Sequence, residues 1–183
     1  MKLAHVALRR LTAASALAAA LLVLAALLPA TGFSQEVTGT FVVKGASTPF
    51  RYVYAYWKDQ APFKKDVMNL YVLLSDVPVD AGTLPSNDRG NAKMAELVRN
   101  DKVHAFELHF SDPGRTLDNA ENGAVYHNGI APARHGINGF FHYEVLKLDA
   151  TSLEGNVWMD PDSVAGAEWR VDAKFKVNVP PNP

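Results

Sequence analysis

Residues 169–179 alternate strictly between apolar and polar side chains, and this alternation constrains the fold more than any other feature of the chain. Successive side chains of a β-strand point to opposite faces, so a strand of this composition buries one face and exposes the other to water. The apolar set is Trp169, Val171, Ala173, Phe175, Val177 and Val179, and the polar set is Arg170, Asp172, Lys174, Lys176 and Asn178. The pattern therefore predicts a strand with one face in a hydrophobic core.

Other segments of the chain also have the composition of strands, and turn-forming residues separate most of them. The nearly continuous apolar run at 67–75 indicates a central strand, and the segment 49–58 has bulky side chains on both faces. The predicted strands lie at residues 38–44, 49–58, 67–75, 102–110, 123–127, 139–148, 153–159 and 168–179.

Residues 88–100 form the one helix that the sequence predicts. Met94, Leu97 and Val98 are spaced by three and four, which places them on one helical face, and Asn87 or Asp88 can cap the start.

Strands at short intervals with a single helix predict a mainly β fold. We expect either one antiparallel barrel or a two-sheet sandwich, with about eight strands.

The first 34 residues have the layout of a secretory signal peptide. Basic residues open the segment, residues 11–28 carry no charge, and small residues that suit a signal peptidase follow at 30–34. An uncleaved anchor is the alternative, because 18 uncharged residues are just enough to span a bilayer. We expect a signal peptide at 1–34, one β-rich domain at 35–179 and a disordered tail at 180–183. The mature protein would then be periplasmic or extracellular and not attached to a membrane.

Charge and cysteine content narrow the class of protein further. The chain has 18 basic and 19 acidic residues, and loss of the three basic residues of the signal leaves 15 against 19, a net charge of −4. A mildly acidic domain lacks the basic surface of a nucleic-acid binder. The chain has no cysteine, so an exported domain of this sequence must be stabilised by its packed core rather than by disulfides.

Two sets of residues are candidates for binding a small ligand. The glycine-rich stretch 129–139 reads as a loop whose basic side chains can donate hydrogen bonds to an anionic group. Aromatic side chains on the second and sixth predicted strands could line a cavity for an apolar ligand, although such residues more often belong to a core. The candidate ligand-binding residues are Tyr52, Tyr54, Arg134, His135, Phe141 and His142.

The histidines suggest an alternative function, that of a metal-dependent enzyme. Glu107 and His109 share one face of a predicted strand, which is a usable separation for two metal ligands. His127 and His142 lie in later strands and could approach them if the strands pair favourably. The sequence contains no compact metal-binding motif, so scattered polar-face histidines are the simpler interpretation and no cofactor is predicted.

Three stretches near the C-terminus resemble a group of exported bacterial proteins. They are 139–144 (GFFHYE), 153–158 (LEGNVW) and 169–175 (WRVDAKF). The similar proteins are uncharacterised, single-domain β-rich chains with a signal peptide. The resemblance implies the same exported β-domain organisation, and it implies no activity.

These observations favour an exported non-enzymatic binding module for a small ligand or a protein partner. One alternative is the metal-dependent enzyme with a histidine and glutamate cluster. The other is an envelope protein with a structural role, or one that interacts through a sheet edge or an exposed aromatic face.

Overall fold

The computed structural model describes residues 35–59, 67–110, 122–130, 134–138, 141–162 and 168–183, and for 134–138 it describes the backbone alone. Ten strands and one helix follow each other in this part of the chain. The helix, α1 (Asp88–Arg99), lies between β4 and β5. The strands are β1 (Glu36–Val43), β2 (Ala46–Pro49), β3 (Tyr52–Asp59), β4 (Met68–Ser75), β5 (Ala105–Phe110), β6 (Asn122–Tyr126), β7 (Arg134–Asn138), β8 (His142–Leu148), β9 (Ser152–Trp158) and β10 (Trp169–Asn178).

The strands form two antiparallel sheets of five strands each. The terminal sheet has the order β2-β1-β10-β9-β8, and the central sheet has the order β3-β4-β5-β6-β7. Neither sheet closes on itself, so of the two architectures that the sequence predicts, the sandwich is correct and the barrel is wrong. The mainly β prediction is confirmed.

Apolar side chains from both sheets fill the interior of the sandwich. Leu70, Val72 and Leu74 of β4 are fully buried there. Aromatic rings of the two sheets contact each other: the ring centroids of Phe106 in β5 and Trp169 in β10 are 6.2 Å apart. The predicted central strand is confirmed, because β4 is paired on both sides and covered on both faces.

The alternation at the C-terminal end is also confirmed. In β10, the side chains of Trp169, Val171, Ala173, Phe175 and Val177 are at most 4% exposed, while the intervening residues are solvent-exposed up to Lys176. β10 pairs with both β1 and β9, so this strand lies at the centre of the terminal sheet.

Helix α1 covers part of the outer face of the central sheet. Its Met94 and Val98 are fully buried in a second apolar cluster that includes Leu73, Ala105 and Tyr126. Asn87 caps the helix as expected, since its side-chain oxygen accepts a hydrogen bond from the Gly90 amide (3.0 Å). Glycine is needed at position 90, because a Cβ atom there would lie 2.0 Å from the Leu84 carbonyl oxygen.

Two short strands depart from the sequence-based expectation. The sequence predicts a turn and the start of the next strand at the residues of β2, and β7 lies within the stretch 129–139 that reads as a loop. Both strands are held by backbone pairing to one neighbour, β2 to β1 and β7 to β6. Neither has an alternating apolar pattern, so the sequence does not mark them as strands.

The C-terminal tail begins with a specific contact. The indole nitrogen of Trp57 donates a hydrogen bond to the Pro180 carbonyl oxygen (2.8 Å), and residues 181–183 are exposed.

Within the part of the chain that the structure describes, the helical segment is neither long nor apolar enough to cross a membrane.

Replacement of Phe175 by alanine tests the assignment of faces in β10. We expect Phe175→Ala to lower the free energy of unfolding by about 3–5 kcal/mol, because it removes a buried aromatic ring. Lys174→Ala is the matched control on the exposed face, and we expect a change of about 0.5 kcal/mol or less. Urea denaturation measures both values, and equal costs would contradict the assignment.

Candidate functional site

Three groups of polar and aromatic side chains could carry a function. The Glu107 cluster consists of Tyr56, Tyr71, Glu107, His109 and Tyr126 on the outer face of the central sheet. The His104 cluster consists of Asp76, Asp101, His104 and His127 at one end of that sheet. The terminal-sheet groove is a depression on the outer face of the other sheet.

In the Glu107 cluster, a buried carboxyl group accepts hydrogen bonds from two tyrosines. The hydroxyls of Tyr56 and Tyr126 both donate to Oε2 of Glu107, the second at 3.0 Å. These tyrosines come from β3 and β6, on either side of the β4–β5 pair. His109 lies two residues further along β5, and its ring centroid is 3.6 Å from that of Tyr71.

The burial of the Glu107 cluster indicates a structural role rather than ligand binding. Glu107 is 2% exposed, Tyr126 is 1% exposed, and both pack beside the helix-covered apolar cluster. A buried carboxyl group is tolerated only where hydrogen bonds replace its contacts with water, and the two phenols supply them. The cluster therefore ties β3, β5 and β6 together and does not present the carboxyl group to a ligand.

In the His104 cluster, one imidazole lies between two aspartates. Nδ1 of His104 is 2.9 Å from Oδ2 of Asp76, and Nε2 is 3.1 Å from Oδ1 of Asp101. The His104 amide also donates to Oδ1 of Asp76 (2.9 Å). These contacts join the residues that follow β4 and α1 to the residue that precedes β5.

His127 stacks on this imidazole. The two ring centroids are 4.4 Å apart with the planes at 27°, and Nδ1 of His127 accepts a hydrogen bond from the Gly129 amide (2.8 Å). Burial lowers the pKa of His127, and the neighbouring His104 lowers it further; Asp101 and Asp76 oppose this shift. The neutral ring is therefore favoured in the folded protein.

The terminal-sheet groove crosses the outer face of strands β1, β10, β9 and β8. Its volume is about 240 Å³. Asn156 is one of the lining residues; its Oδ1 atom is buried and accepts no hydrogen bond from the described residues, while its amide nitrogen donates to Glu144 (3.2 Å). The lining residues are Glu36, Val37, Thr38, Leu146, Glu154, Gly155, Asn156, Lys174, Phe175 and Lys176.

An exposed tryptophan adjoins this groove. Trp158 is two residues beyond Asn156 on the same face of β9, and it is 37% exposed. The ring of His142 in β8 lies beside it, with centroids 5.6 Å apart and planes at 26°. Nε2 of His142 is 2.8 Å from Oδ2 of Asp160, which holds the imidazole in place.

The structure describes the side chains of four of the six ligand-binding candidates, and it does not bring all four together. Phe141 is in the sandwich interior against Phe106, and His142 is on the outer face of the terminal sheet. Tyr52 is exposed on β3, and the hydroxyl of Tyr54 accepts a hydrogen bond from the Val79 amide (2.8 Å). The expectation of a cavity shared by Tyr52, Tyr54 and Phe141 is therefore not met by their positions.

Arg134 and His135 belong to β7 rather than to a loop. They pair with Tyr126 and Val125 of β6. The positions of their side chains lie outside the described part of the structure, so their proposed role in binding an anionic group stays a prediction.

The four residues of the metal-site alternative lie in three different places. Glu107 and His109 are on the outer face of the central sheet, His127 stacks on His104, and His142 contacts Asp160. Among the residues that the structure describes, no group of three or more histidine, aspartate or glutamate side chains has a geometry that could hold a metal ion.

Sequence reasoning missed Trp158, Asn156 and the pairing of His104 with Asp76. A signal for Trp158 was present, because it belongs to the polar set of the alternating strand 153–159, where a large aromatic side chain is out of place. The partners of His104 and Glu107 carried no such signal, since they come from distant parts of the chain.

Removal of one phenol tests the structural role of the Glu107 cluster. We expect Tyr126→Phe to lower the free energy of unfolding by about 1–3 kcal/mol, because a buried carboxyl oxygen loses a donor. Tyr52→Phe removes the same hydroxyl from an exposed tyrosine and should change stability by about 0.5 kcal/mol or less. Chemical denaturation of the two variants gives the comparison, and similar values would show that the buried contact contributes nothing.

The lowered pKa of His127 gives a prediction with a definite sign. Because the folded state disfavours the charged ring, the unfolded chain binds more protons just below pH 6.5, and the contribution of His127 to stability falls as the pH drops through that value. NMR titration of the His127 ring should give a midpoint below 6.5. His104→Gln should raise that midpoint more than Lys44→Gln, since Lys44 has the smallest effect. A midpoint at or above 6.5 would contradict this account.

Comparison with protein-family models, with curated proteins and with solved structures finds no match to this chain. The resemblance of the C-terminal segments to exported β-rich proteins of bacteria therefore stays a prediction. Inferences about function rest on the arrangement of the side chains themselves.

Proposed function

We propose that this chain is an exported, non-enzymatic binding module whose ligand occupies the terminal-sheet groove. The observation that carries the proposal is the groove itself, whose lining includes Asn156, a residue with a buried Oδ1 atom that has no donor among the described residues. A buried acceptor without a donor costs about 1–3 kcal/mol, and a bound ligand that donates a hydrogen bond would recover part of that cost.

The other surfaces of the sandwich are less suited to binding. The interior is packed with apolar side chains from both sheets, and α1 covers part of the outer face of the central sheet. The outer face of the terminal sheet has no such covering helix among the described residues. Its groove is lined by side chains that donate and accept hydrogen bonds, and the exposed Trp158 lies outside this lining, two residues from Asn156 on the same face of β9.

The two alternatives have less support. The residues of the metal-dependent enzyme are dispersed over both sheets. Interaction through an edge of the terminal sheet is hindered because β2 has only four residues and ends in Pro49, which has no amide hydrogen. The opposite edge, β8, has an irregular register between Val145 and Lys147, and such a bulge interrupts strand addition.

Native mass spectrometry of the protein purified from its own periplasm or culture medium tests this proposal. We expect an N-terminus near Phe33 or Gln35 and a second population of higher mass that carries a ligand. Asn156→Ala should raise the Kd about tenfold and so lower the bound fraction, since one hydrogen bond to a buried acceptor contributes about 1.4 kcal/mol.

Asn178→Ala is the matched control. Asn178 belongs to the polar set of β10 in the same sheet but does not line the groove. The control should retain the bound fraction of the unmodified protein. Equal retention by both variants would place the ligand elsewhere, and a mature protein that keeps Met1 would contradict export with cleavage.

A further inference from the structure

We infer that the ligand of the terminal-sheet groove is a neutral oligosaccharide, with one sugar ring against Trp158 and its neighbours in the groove. This inference rests on the proposed function. It is carried by three features of the described residues: balanced charge, an exposed aromatic ring next to the groove, and donors and acceptors in the same lining.

The charges around the groove are balanced. Lys174 and Lys176 line it together with Glu36 and Glu154, two basic and two acidic side chains. These charges alternate across the strands, because Glu36 pairs with Lys176 and Lys176 pairs with Glu154. A strongly charged ligand would be attracted by two of these side chains and repelled by the other two. The balance of charges therefore favours an uncharged ligand.

The aromatic ring supplies the apolar part of the contact. Trp158 lies about 6.7 Å from Asn156 along β9, the distance between next-nearest residues of a strand. Its partially exposed indole has a negative π-face, which attracts the weakly positive C–H groups on the apolar face of a pyranose ring. His142 of β8 stacks against this indole, with ring centroids 5.6 Å apart.

The remaining lining residues match the hydroxyl groups of a sugar. Each sugar hydroxyl both donates and accepts hydrogen bonds, so a complementary site needs both kinds of group. Oδ1 of Asn156 and the carboxylate of Glu154 accept, the ammonium groups of Lys174 and Lys176 donate, and the hydroxyl of Thr38 does both. A purely apolar ligand could form hydrogen bonds with none of these groups.

The extent of the site favours an oligosaccharide over a single sugar. From β8, which carries Leu146, to β1, which carries Thr38, the groove crosses three gaps between neighbouring strands. At about 4.8 Å per gap this span is roughly 14 Å, which exceeds the width of one sugar ring. The site therefore extends beyond one ring, as binding of a linked oligosaccharide requires.

Titration with defined oligosaccharides tests the inference. The probes are chitohexaose, cellohexaose and maltohexaose, with oligogalacturonate as an anionic comparison and a mixture of short uncharged peptides as a third class. We expect at least one neutral probe to shift the backbone amide signals of Thr38, Asn156 and Lys174 and the indole signal of Trp158. Its Kd should change less than twofold between 50 and 500 mM salt, because screening acts on charged contacts.

Two variants with equally exposed aromatic residues provide the control. Trp158 is 37% exposed in the terminal sheet and Tyr52 is 38% exposed in the central sheet. Trp158→Ala should weaken binding at least tenfold, whereas Tyr52→Ala should leave the Kd unchanged. Circular dichroism of both variants confirms that each remains folded.

The outcomes separate this inference from the proposed function. Binding of oligogalacturonate or the peptides at the same amides, with no binding of neutral probes, would overturn the saccharide inference and leave the groove as the binding site. Neutral sugar binding that Trp158→Ala does not weaken would overturn the role of the tryptophan. If no probe shifts the groove signals and native mass spectrometry detects no ligand, both proposals are wrong.

Discussion

Burial of one apolar face of each sheet against the other is the interaction on which the rest of this molecule depends. The chain has no cysteine, so no disulfide can compensate for a poorly packed interior. The close packing is visible at Gly155, where a Cβ atom would lie 3.1 Å from the Phe175 ring and 2.7 Å from the Glu144 carbonyl oxygen. A core this dense leaves the outer faces of the two sheets as the places where polar side chains can form a site. Those faces differ, since one supports a helix and the other a groove.

The elements that the sequence predicts correctly are those with a strong hydrophobic pattern. β10 follows from strict alternation, β4 from a continuous apolar run, and α1 from apolar residues at helical spacing with Asn87 as its cap. β2 and β7 were not recognised, because short strands at the side of a sheet need no apolar face and gain their stability from backbone pairing with one neighbour. The choice between barrel and sandwich was beyond the sequence, since both architectures require the same alternation.

The candidate sites were less predictable than the fold, for a physical reason. The shared face of Glu107 and His109 follows from their spacing in β5 and is correct. Their environment depends on which strands become neighbours, and Tyr56 is 51 residues from Glu107 in the chain. The groove likewise combines side chains of β1, β8, β9 and β10, which only the strand order brings together. Local sequence patterns thus predict the face on which a side chain lies, and the pairing of distant strands determines which residues it contacts.

The pairing of β1 with β10 has a consequence for how the protein is made. Glu36 lies opposite Lys176, so β1 pairs with a strand that is synthesised after all the other described strands. Contacts between such distant segments slow folding, because a long loop must close before they form. The central sheet, whose five strands pair in chain order, can assemble earlier. A chain synthesised from its N-terminus would therefore leave the terminal sheet incomplete until β10 is available to pair with β1 and β9.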